Sequence, residues 1–146
     1  MLLGDNTIKG EGWTYVRYET LEKLGIDPDK IVSAKYNFYN LYDLGNEAVI
    51  SAYAVTCDWC SINTMWFNRP TFDEKPVTST IIKESGVYQL DITPLLKKML
   101  ENIGNKSAIY SINNSFLIKC DTANTNMIFP SGDNGLLSPY LEIVIK

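Results

Sequence analysis

The chain lacks histidine entirely, and this absence removes the commonest catalytic and metal-binding chemistry. Ser-His-Asp and Cys-His nucleophile systems both depend on an imidazole that accepts the proton of the nucleophile. The usual zinc and non-haem iron sites also take imidazole ligands. No other enzyme motif stands out along the chain. The sequence therefore predicts no catalytic residues and a protein that is not an enzyme.

Cysteine is also scarce, with three residues, Cys57, Cys60 and Cys120. An odd number argues against a scaffold that is held together by disulfides. Cys57 and Cys60 form a C-x-x-C pair, but a zinc site would need two more ligands and only Cys120 remains. A redox pair would be expected to begin a helix, and no helical periodicity follows Cys60. We expect free thiols, no bound metal and no obligatory disulfide.

Calcium sites are built from oxygen ligands, and acidic and amide residues do cluster in the predicted loops. The spacing is not that of an EF-hand, and turn formation explains each cluster without a metal. The sequence leaves a calcium ion open but does not predict it, and no cofactor is expected. The clusters are Asp5 with Asn6, Asp27 with Asp29, Asp121 with Asn124, and Asp133 with Asn134.

The chain has no excess of positive charge and no long apolar run. Its 13 Lys and Arg against 17 Asp and Glu give a net charge of −4. Phosphate binding needs clustered basic residues, so nucleic acid is not an expected partner. A membrane span needs about 20 apolar residues, so insertion into a membrane is not expected either. The first residues lack the basic and apolar regions of a signal peptide, which would have to lie on a larger chain if the protein is exported.

Short alternating segments rich in aromatic and β-branched residues dominate the 146-residue chain. Gly, Asn, Asp and Pro separate them, which is typical of a β-sandwich. We predict one antiparallel, jelly-roll-like sandwich over residues 1–146, excised from a larger modular protein. The segment 48–56 is apolar on both faces and should be a central strand. The predicted strands are 12–21, 31–41, 48–56, 77–82, 87–92, 108–112, 115–120, 126–129 and 141–145.

One short α-helix is predicted after residue 92. Thr93 is the expected N-cap and Pro94 the first helical residue. The apolar side chains that share one face are Leu95, Leu96, Met99, Leu100 and Ile103. Gly104 suits the C-terminal end. We expect the helix to cover an open end of the sandwich.

The segment 59–70 holds two tryptophans, Trp59 and Trp66, around a short polar stretch. Aromatic faces bind the apolar faces of sugar rings, so the pair could form a stacking platform. The alternative is that both pack into the interior, and we predict that both are largely buried and stabilise the fold. Tyr39 and Tyr42 are then the candidate stacking residues, because alternation directs Tyr39 away from the face of Tyr36.

The order of these segments resembles the DNRLRE domain, also described as carbohydrate-binding module family 96 and related to the disaggregatase repeat. The resemblance extends from about residue 3 to the end. The matching positions are 16–21, 31–38, Trp59, 63–66, 68–70, 91–93, 129–133 and 139–143. Two departures stand out. Met65 separates Thr64 from Trp66, and the family's first strand is missing or truncated, so no calcium or binding residue of that strand can be carried over.

The resemblance implies a sandwich in extracellular or surface-displayed, modular microbial proteins. Together with alternation it predicts one shared core for Ala34, Tyr36, Phe38, Val87, Leu141 and Ile143. The leading interpretation is a non-catalytic accessory module that binds polysaccharide. The alternative is a structural spacer, adhesion or tail module that contacts neighbouring domains or other protein partners.

The candidate ligand-binding residues are Tyr39, Tyr42 and Lys35, with Lys119 as a further cation if it shares a face with Tyr39. An acidic module would more naturally meet a neutral or cationic glycan. An anionic glycan would need a local patch of lysine and arginine.

Overall fold

The protein is an antiparallel β-sandwich with one α-helix, as seen in a computed structural model that describes residues 2–6, 10–18, 21–60, 62–101, 114–130 and 135–146. Short 3-10 helices at Leu21–Leu24, Pro28–Lys30 and Trp66–Asn68 lie in the connections. The strands are β1 Leu2–Asn6, β2 Gly10–Arg17, β3 Ile31–Asn40, β4 Ala48–Ala54, β5 Thr78–Ile82, β6 Gly86–Asp91, β7 Ser115–Cys120, β8 Thr125–Ile128 and β9 Tyr140–Ile145, and the helix is α1 Thr93–Glu101.

The described strands form two sheets in which every pairing is antiparallel. The larger sheet has the order β5-β4-β7-β2-β1-β8, and the smaller one has the order β6-β3-β9. This confirms the predicted all-β sandwich with one short helix. The central position of β4, between β5 and β7, is confirmed as well. No helix in the described ranges is long and apolar enough to cross a membrane.

The main core lies between the two sheets. Ala34, Tyr36 and Phe38 of β3 are buried there, as predicted. The ring of Tyr36 meets Phe116 of the opposite sheet edge to face, with 5.2 Å between the centroids. Leu141 and Ile143 of β9 are only partly buried and pack against the edge of this core. Through its alternating side chains, β3 therefore supplies more fully buried residues to the main core than β9 does.

The predicted burial of Val87 is wrong, because its side chain is 63% exposed. Val87 pairs with Tyr39 across β6 and β3. Directly paired residues point to the same face of a sheet, and Tyr39 points away from the core. The residues of β6 that face the core are Tyr88, which pairs with Phe38, and Leu90, which is fully buried and pairs with Tyr36. The strand itself was predicted correctly, but the prediction of which of its residues face the core was wrong.

The N-terminal region contains a strand that was not predicted. β1 pairs with β2 on one side and with β8 on the other. The family's first strand was expected to be missing or truncated, and the structure has a strand of five residues at this position. Its low apolar content, Leu-Leu-Gly-Asp-Asn, gives little local signal, and the strand exists because two neighbours supply its hydrogen bonds. The strand predicted at 108–112 and the helix end at Ile103 and Gly104 lie outside the described residues.

The helix α1 packs its apolar face into the main core, through Leu95, Leu96, Met99 and Leu100. It lies next to the start of β3 and the 3-10 helix before that strand. The hydroxyl of Thr93 accepts a 2.8 Å hydrogen bond from the backbone N–H of Ala34. The helix begins at Thr93 itself, so Thr93 is its first residue and not the predicted N-cap, and its hydroxyl ties the beginning of the helix to β3.

Burial raises the pKa of four tyrosines. It is the largest cause at Tyr15, Tyr18 and Tyr53, whose pKa values rise to about 12. At Tyr36, burial moves the pKa well above its usual range, with a smaller contribution from Tyr18. At Tyr53 the hydrogen bond to Asp121 adds to the effect. The folded protein therefore keeps protons that the unfolded chain loses near pH 10.

We expect the free energy of unfolding to fall as the pH rises from about 10 to about 12. In this window the native state binds more protons than the unfolded state, so alkali favours unfolding. Urea titrations across this range would measure the slope, and absorbance of the tyrosinate ion would report the ionisation. Tyr36→Phe should reduce the slope, since phenylalanine has no proton to lose. An unchanged slope would contradict this account.

Candidate functional site

The outer face of the larger sheet carries a second hydrophobic cluster, separate from the main core. Tyr53, Val55 and Leu117 are buried there, although they point away from the smaller sheet. The partly buried aromatic residues that pack against them are Trp13, Tyr15, Trp59 and Phe72. This cluster explains why β4 is apolar on both faces.

The segments 57–60 and 62–70, here together called the aromatic loop, cover part of this face. An isolated β-bridge between Val55 and Phe72 closes its base. Next to the bridge, the backbone N–H of Thr56 donates to the carbonyl of Thr71 at 2.9 Å, and their hydroxyls are 2.8 Å apart. The two ends of the loop are therefore held together, and its tip is placed over the outer face.

The side chain of Asn68 organises the tip of the aromatic loop. Its Oδ1 accepts from the backbone N–H of Met65 at 2.5 Å, and its Nδ2 donates to the carbonyl of Asn63 at 2.8 Å. The carbonyl of Pro70 accepts a 2.8 Å hydrogen bond from the hydroxyl of Tyr15 on β2. Asn68 and Pro70 thus fix the shape of the loop and its attachment to the sheet.

Arg69 lies against two neighbouring tryptophan rings at this tip, whose centroids are 5.0 Å apart. Its guanidinium carbon is 4.5 Å from the ring centroid of Trp13 and 4.4 Å from that of Trp66. Its Nη1 donates to the carbonyl of Trp66 at 2.8 Å. Cations at such distances are attracted to the faces of aromatic rings. The result is a preformed group of two tryptophans and one arginine, which we call the Trp-Arg-Trp cluster.

A surface cleft of about 300 Å³ opens beside the Trp-Arg-Trp cluster. Tyr15 and Gly12 of β2 line it together with the cluster, and Thr64 and Met65 complete it. Trp66 is 50% exposed, while Trp13 is partly buried and packs edge to face on Phe72 at 5.2 Å. The cleft thus combines a broad aromatic surface with a few polar groups, which is the composition of many small-ligand sites.

The prediction that Trp66 is largely buried is wrong. The aromatic loop lies on the solvent side of the larger sheet, so Trp66 contacts Trp13 and Arg69 and leaves half its surface in water. Trp59 behaves differently. It is partly buried, its ring packs on Tyr15 at 5.5 Å, and its Nε1 donates to Ser115 at 2.9 Å. The two tryptophans of the motif therefore have different roles.

The residues predicted to bind ligand lie on the smaller sheet. Lys35 and Tyr39 are partly buried on the outer face of β3, and Tyr42 follows the strand and is 61% exposed. Tyr39 lines a cleft of about 80 Å³ with Val87 and Tyr140. Their binding role stays a prediction. Lys119 does not share this face, because it lies on β7 of the larger sheet, 5.6 Å from the ring of Trp13.

The cysteines and the acidic clusters have local structural contacts. Cys57 and Cys60 are free thiols, and Cys57 Sγ accepts from the backbone N–H of Thr71 at 3.2 Å. Cys120 is buried, and its Sγ donates to the carbonyl of Thr122 at 3.5 Å. Asp27 caps the second 3-10 helix by accepting from Asp29 at 3.0 Å. Among the residues whose placement is described, no group of three or more acidic or cysteine side chains is arranged to hold a metal.

Almost the whole chain matches one known protein family. The family model of Carbohydrate-binding module family 96 matches residues 5–145, almost the whole chain. The chain belongs to carbohydrate-binding module family 96. The resemblance noted in the sequence is confirmed, and the match includes both β2 and the aromatic loop. No curated protein matches the chain significantly.

Most residues that line the cleft of this family 96 module, among them Trp13 and Arg69, were not predicted as binding residues from the sequence. Trp13 lies within the predicted strand 12–21 and Arg69 within the matching positions 68–70, and neither was predicted to bind a ligand. Alternation already places Trp13, Tyr15 and Arg17 on one face of β2, with Thr14 and Val16 on the other. That pattern could have indicated an aromatic outer face, but it does not show that the loop returns to cover it.

Proposed function

We propose that this module binds polysaccharide, without catalysing a reaction, through the cleft at the Trp-Arg-Trp cluster. The observation that carries the proposal is the half-exposed ring of Trp66, held over β2 by Arg69 and Trp13. Membership of a carbohydrate-binding family supports sugar as the ligand.

The cluster suits sugar binding because it is already ordered before a ligand arrives. Asn68 fixes the tip of the loop, and the hydroxyl of Tyr15 fixes its return to the sheet. Little conformational entropy is then lost when a sugar ring stacks on Trp66. The guanidinium of Arg69 offers N–H groups that can donate to sugar oxygens beside the ring.

An accessory role outside the cell or at the cell surface fits this activity, since polysaccharides of walls and matrices are found there. A module of this kind would keep a partner domain or the whole cell close to its polysaccharide. We propose this location and role from the family and from the cleft.

The second candidate is a spacer that contacts protein partners. Exposed apolar side chains at the smaller sheet favour it: Val87 of β6, Tyr140 of β9 and Leu136 of the turn before β9 line one shallow cleft. The Trp-Arg-Trp cluster favours the first candidate more, because stacked aromatic and cationic groups provide both shape and hydrogen-bond donors for a sugar.

The direct test is affinity electrophoresis of the module in gels containing single plant, algal or bacterial polysaccharides. We expect at least one polysaccharide to retard migration, with a dissociation constant in the micromolar to millimolar range that is typical of small, open sites. Titration calorimetry on the retarding polysaccharide would give the affinity. Failure of every polysaccharide, together with concentration-dependent association in ultracentrifugation, would support the spacer role instead.

A further inference from the structure

The outer face of the larger sheet has a transverse row of side chains that begins at Trp13. Trp13 of β2 pairs with Lys119 of β7, Lys119 pairs with Ser51 of β4, and Ser51 pairs with Ser79 of β5. Directly paired residues point to the same face, so these four side chains form a line at right angles to the strands. The line continues the cleft at the Trp-Arg-Trp cluster.

Lys119 of this row and Asp121, which follows the end of β7, are charged groups that a ligand can reach. Their side chains are 27% and 26% exposed, and Lys119 Nζ lies 3.9 Å from Asp121 Oδ1. Lys119 is also 5.6 Å from the ring centroid of Trp13 and 6.0 Å from that of Tyr53. The amino group therefore lies directly beside the aromatic surface.

Two hydroxyl groups of β4 hold the carboxylate of Asp121 in its orientation. Its Oδ1 accepts from the hydroxyl of Tyr53 at 2.7 Å, and its Oδ2 accepts from the buried hydroxyl of Ser51. Ser51 is in turn 2.8 Å from the hydroxyl of the exposed Ser79. A carboxylate has about four acceptor positions, so two hydrogen bonds leave capacity for ligand hydroxyls.

We propose that a linear glycan lies across β2, β7, β4 and β5, with one ring on Trp66 and later rings along Lys119, Asp121 and Ser79. This inference rests on the proposed function and adds the direction of the chain and its length. A donor and an acceptor side by side match a pair of neighbouring sugar hydroxyls, one accepting from Lys119 and one donating to Asp121. Four adjacent strands span about 14 Å, so the site holds several linked sugars within a chain rather than a single terminal one.

The test uses manno-, cello- and alginate oligosaccharides, each from monosaccharide to hexasaccharide, in titration calorimetry and two-dimensional amide NMR. We expect affinity to rise at least tenfold between disaccharide and hexasaccharide in a series that binds. The backbone signals of Lys119, Ser51 and Ser79 should shift along with the indole signal of Trp66. Binding that is already maximal at the disaccharide, with shifts confined to the cleft at Trp66, would overturn the row and leave the proposed function intact.

Lys119→Met provides the second arm, because methionine keeps an apolar chain beside Trp13 and removes the charged donor. We expect roughly tenfold weaker binding of the hexasaccharide, since hydrogen bonds to charged groups are strong, and little change for a disaccharide. Lys30→Met is the matched control, because Lys30 is exposed and lies in the 3-10 helix before β3 of the smaller sheet. This variant should bind normally. Equal hexasaccharide affinity in both variants would refute the role of Lys119. Failure of all three series, together with failure of every polysaccharide to retard the module in the gels, would refute the proposed function as well.

Discussion

Trp66→Ala is expected to weaken polysaccharide binding by about tenfold to a hundredfold, the size of effect seen when a central aromatic residue is removed from a binding surface. The ring is half-exposed and lies over the cleft, so the variant removes most of the proposed stacking surface. Its contacts with Trp13 and Arg69 lie at the protein surface, so they add little to the free energy of unfolding. We therefore expect the free energy of unfolding to fall by no more than about 1 kcal/mol.

The matched control for Trp66→Ala is Phe67→Ala, at the next residue of the same 3-10 helix. Phe67 is 81% exposed and is absent from the lining of the cleft. Trp66→Phe adds a graded test, since a smaller ring should retain part of the affinity. Calorimetry would give the affinities and urea titration the stabilities. Wild-type binding by Trp66→Ala, or a large loss of stability in it, would contradict the proposed role.

The second large effect concerns stability. Phe116→Ala should reduce the free energy of unfolding by about 3–5 kcal/mol. Phe116 is 1% exposed, lies on β7 in the interior of the larger sheet and packs against Tyr36 of the other sheet. Its register partner on β4 is Ala54, which is too small to fill the space that the missing ring would leave.

Urea denaturation followed by far-ultraviolet circular dichroism would measure this loss. A small domain is stable by only about 5–15 kcal/mol, so the variant should be marginally folded. If it fails to fold, Phe116→Leu retains part of the volume and should lose less stability. Phe67→Ala again serves as the control, with a change within about 0.5 kcal/mol. A loss below about 1 kcal/mol for Phe116→Ala would contradict this prediction, because it would mean that neighbouring side chains move in and fill the cavity.

The strands that the sequence predicted best are those with strong alternation and a defined environment. β3 alternates between Tyr36 and Phe38 inside and Lys35 and Tyr39 outside, and the structure has this pattern. The Thr93-Pro94 pair correctly located the beginning of the helix. Such local signals persist in the fold because a period of two residues follows from backbone geometry alone.

Alternation did not decide which face is the core when both faces carry apolar residues. Val87 and Leu90 are both apolar, and only the register with β3 turns Leu90 inward. β1 was not predicted for a different reason. Its sequence has little strand character, and its pairing with strands on both sides makes it a strand. Register is a property of two strands together, so one strand cannot reveal it.

The candidate site divides in the same way. The sequence by itself determined the all-β fold, the family and the composition of the aromatic loop, because these depend on residue types and their order. The tertiary structure decided that the loop folds onto the outer face, where Trp66 is half-exposed and Arg69 lies against Trp13. It also brought Trp13, Lys119, Ser51 and Ser79 into one row, although they are widely separated along the chain. Hydrogen bonding between distant strands creates such neighbours, and local sequence does not encode them.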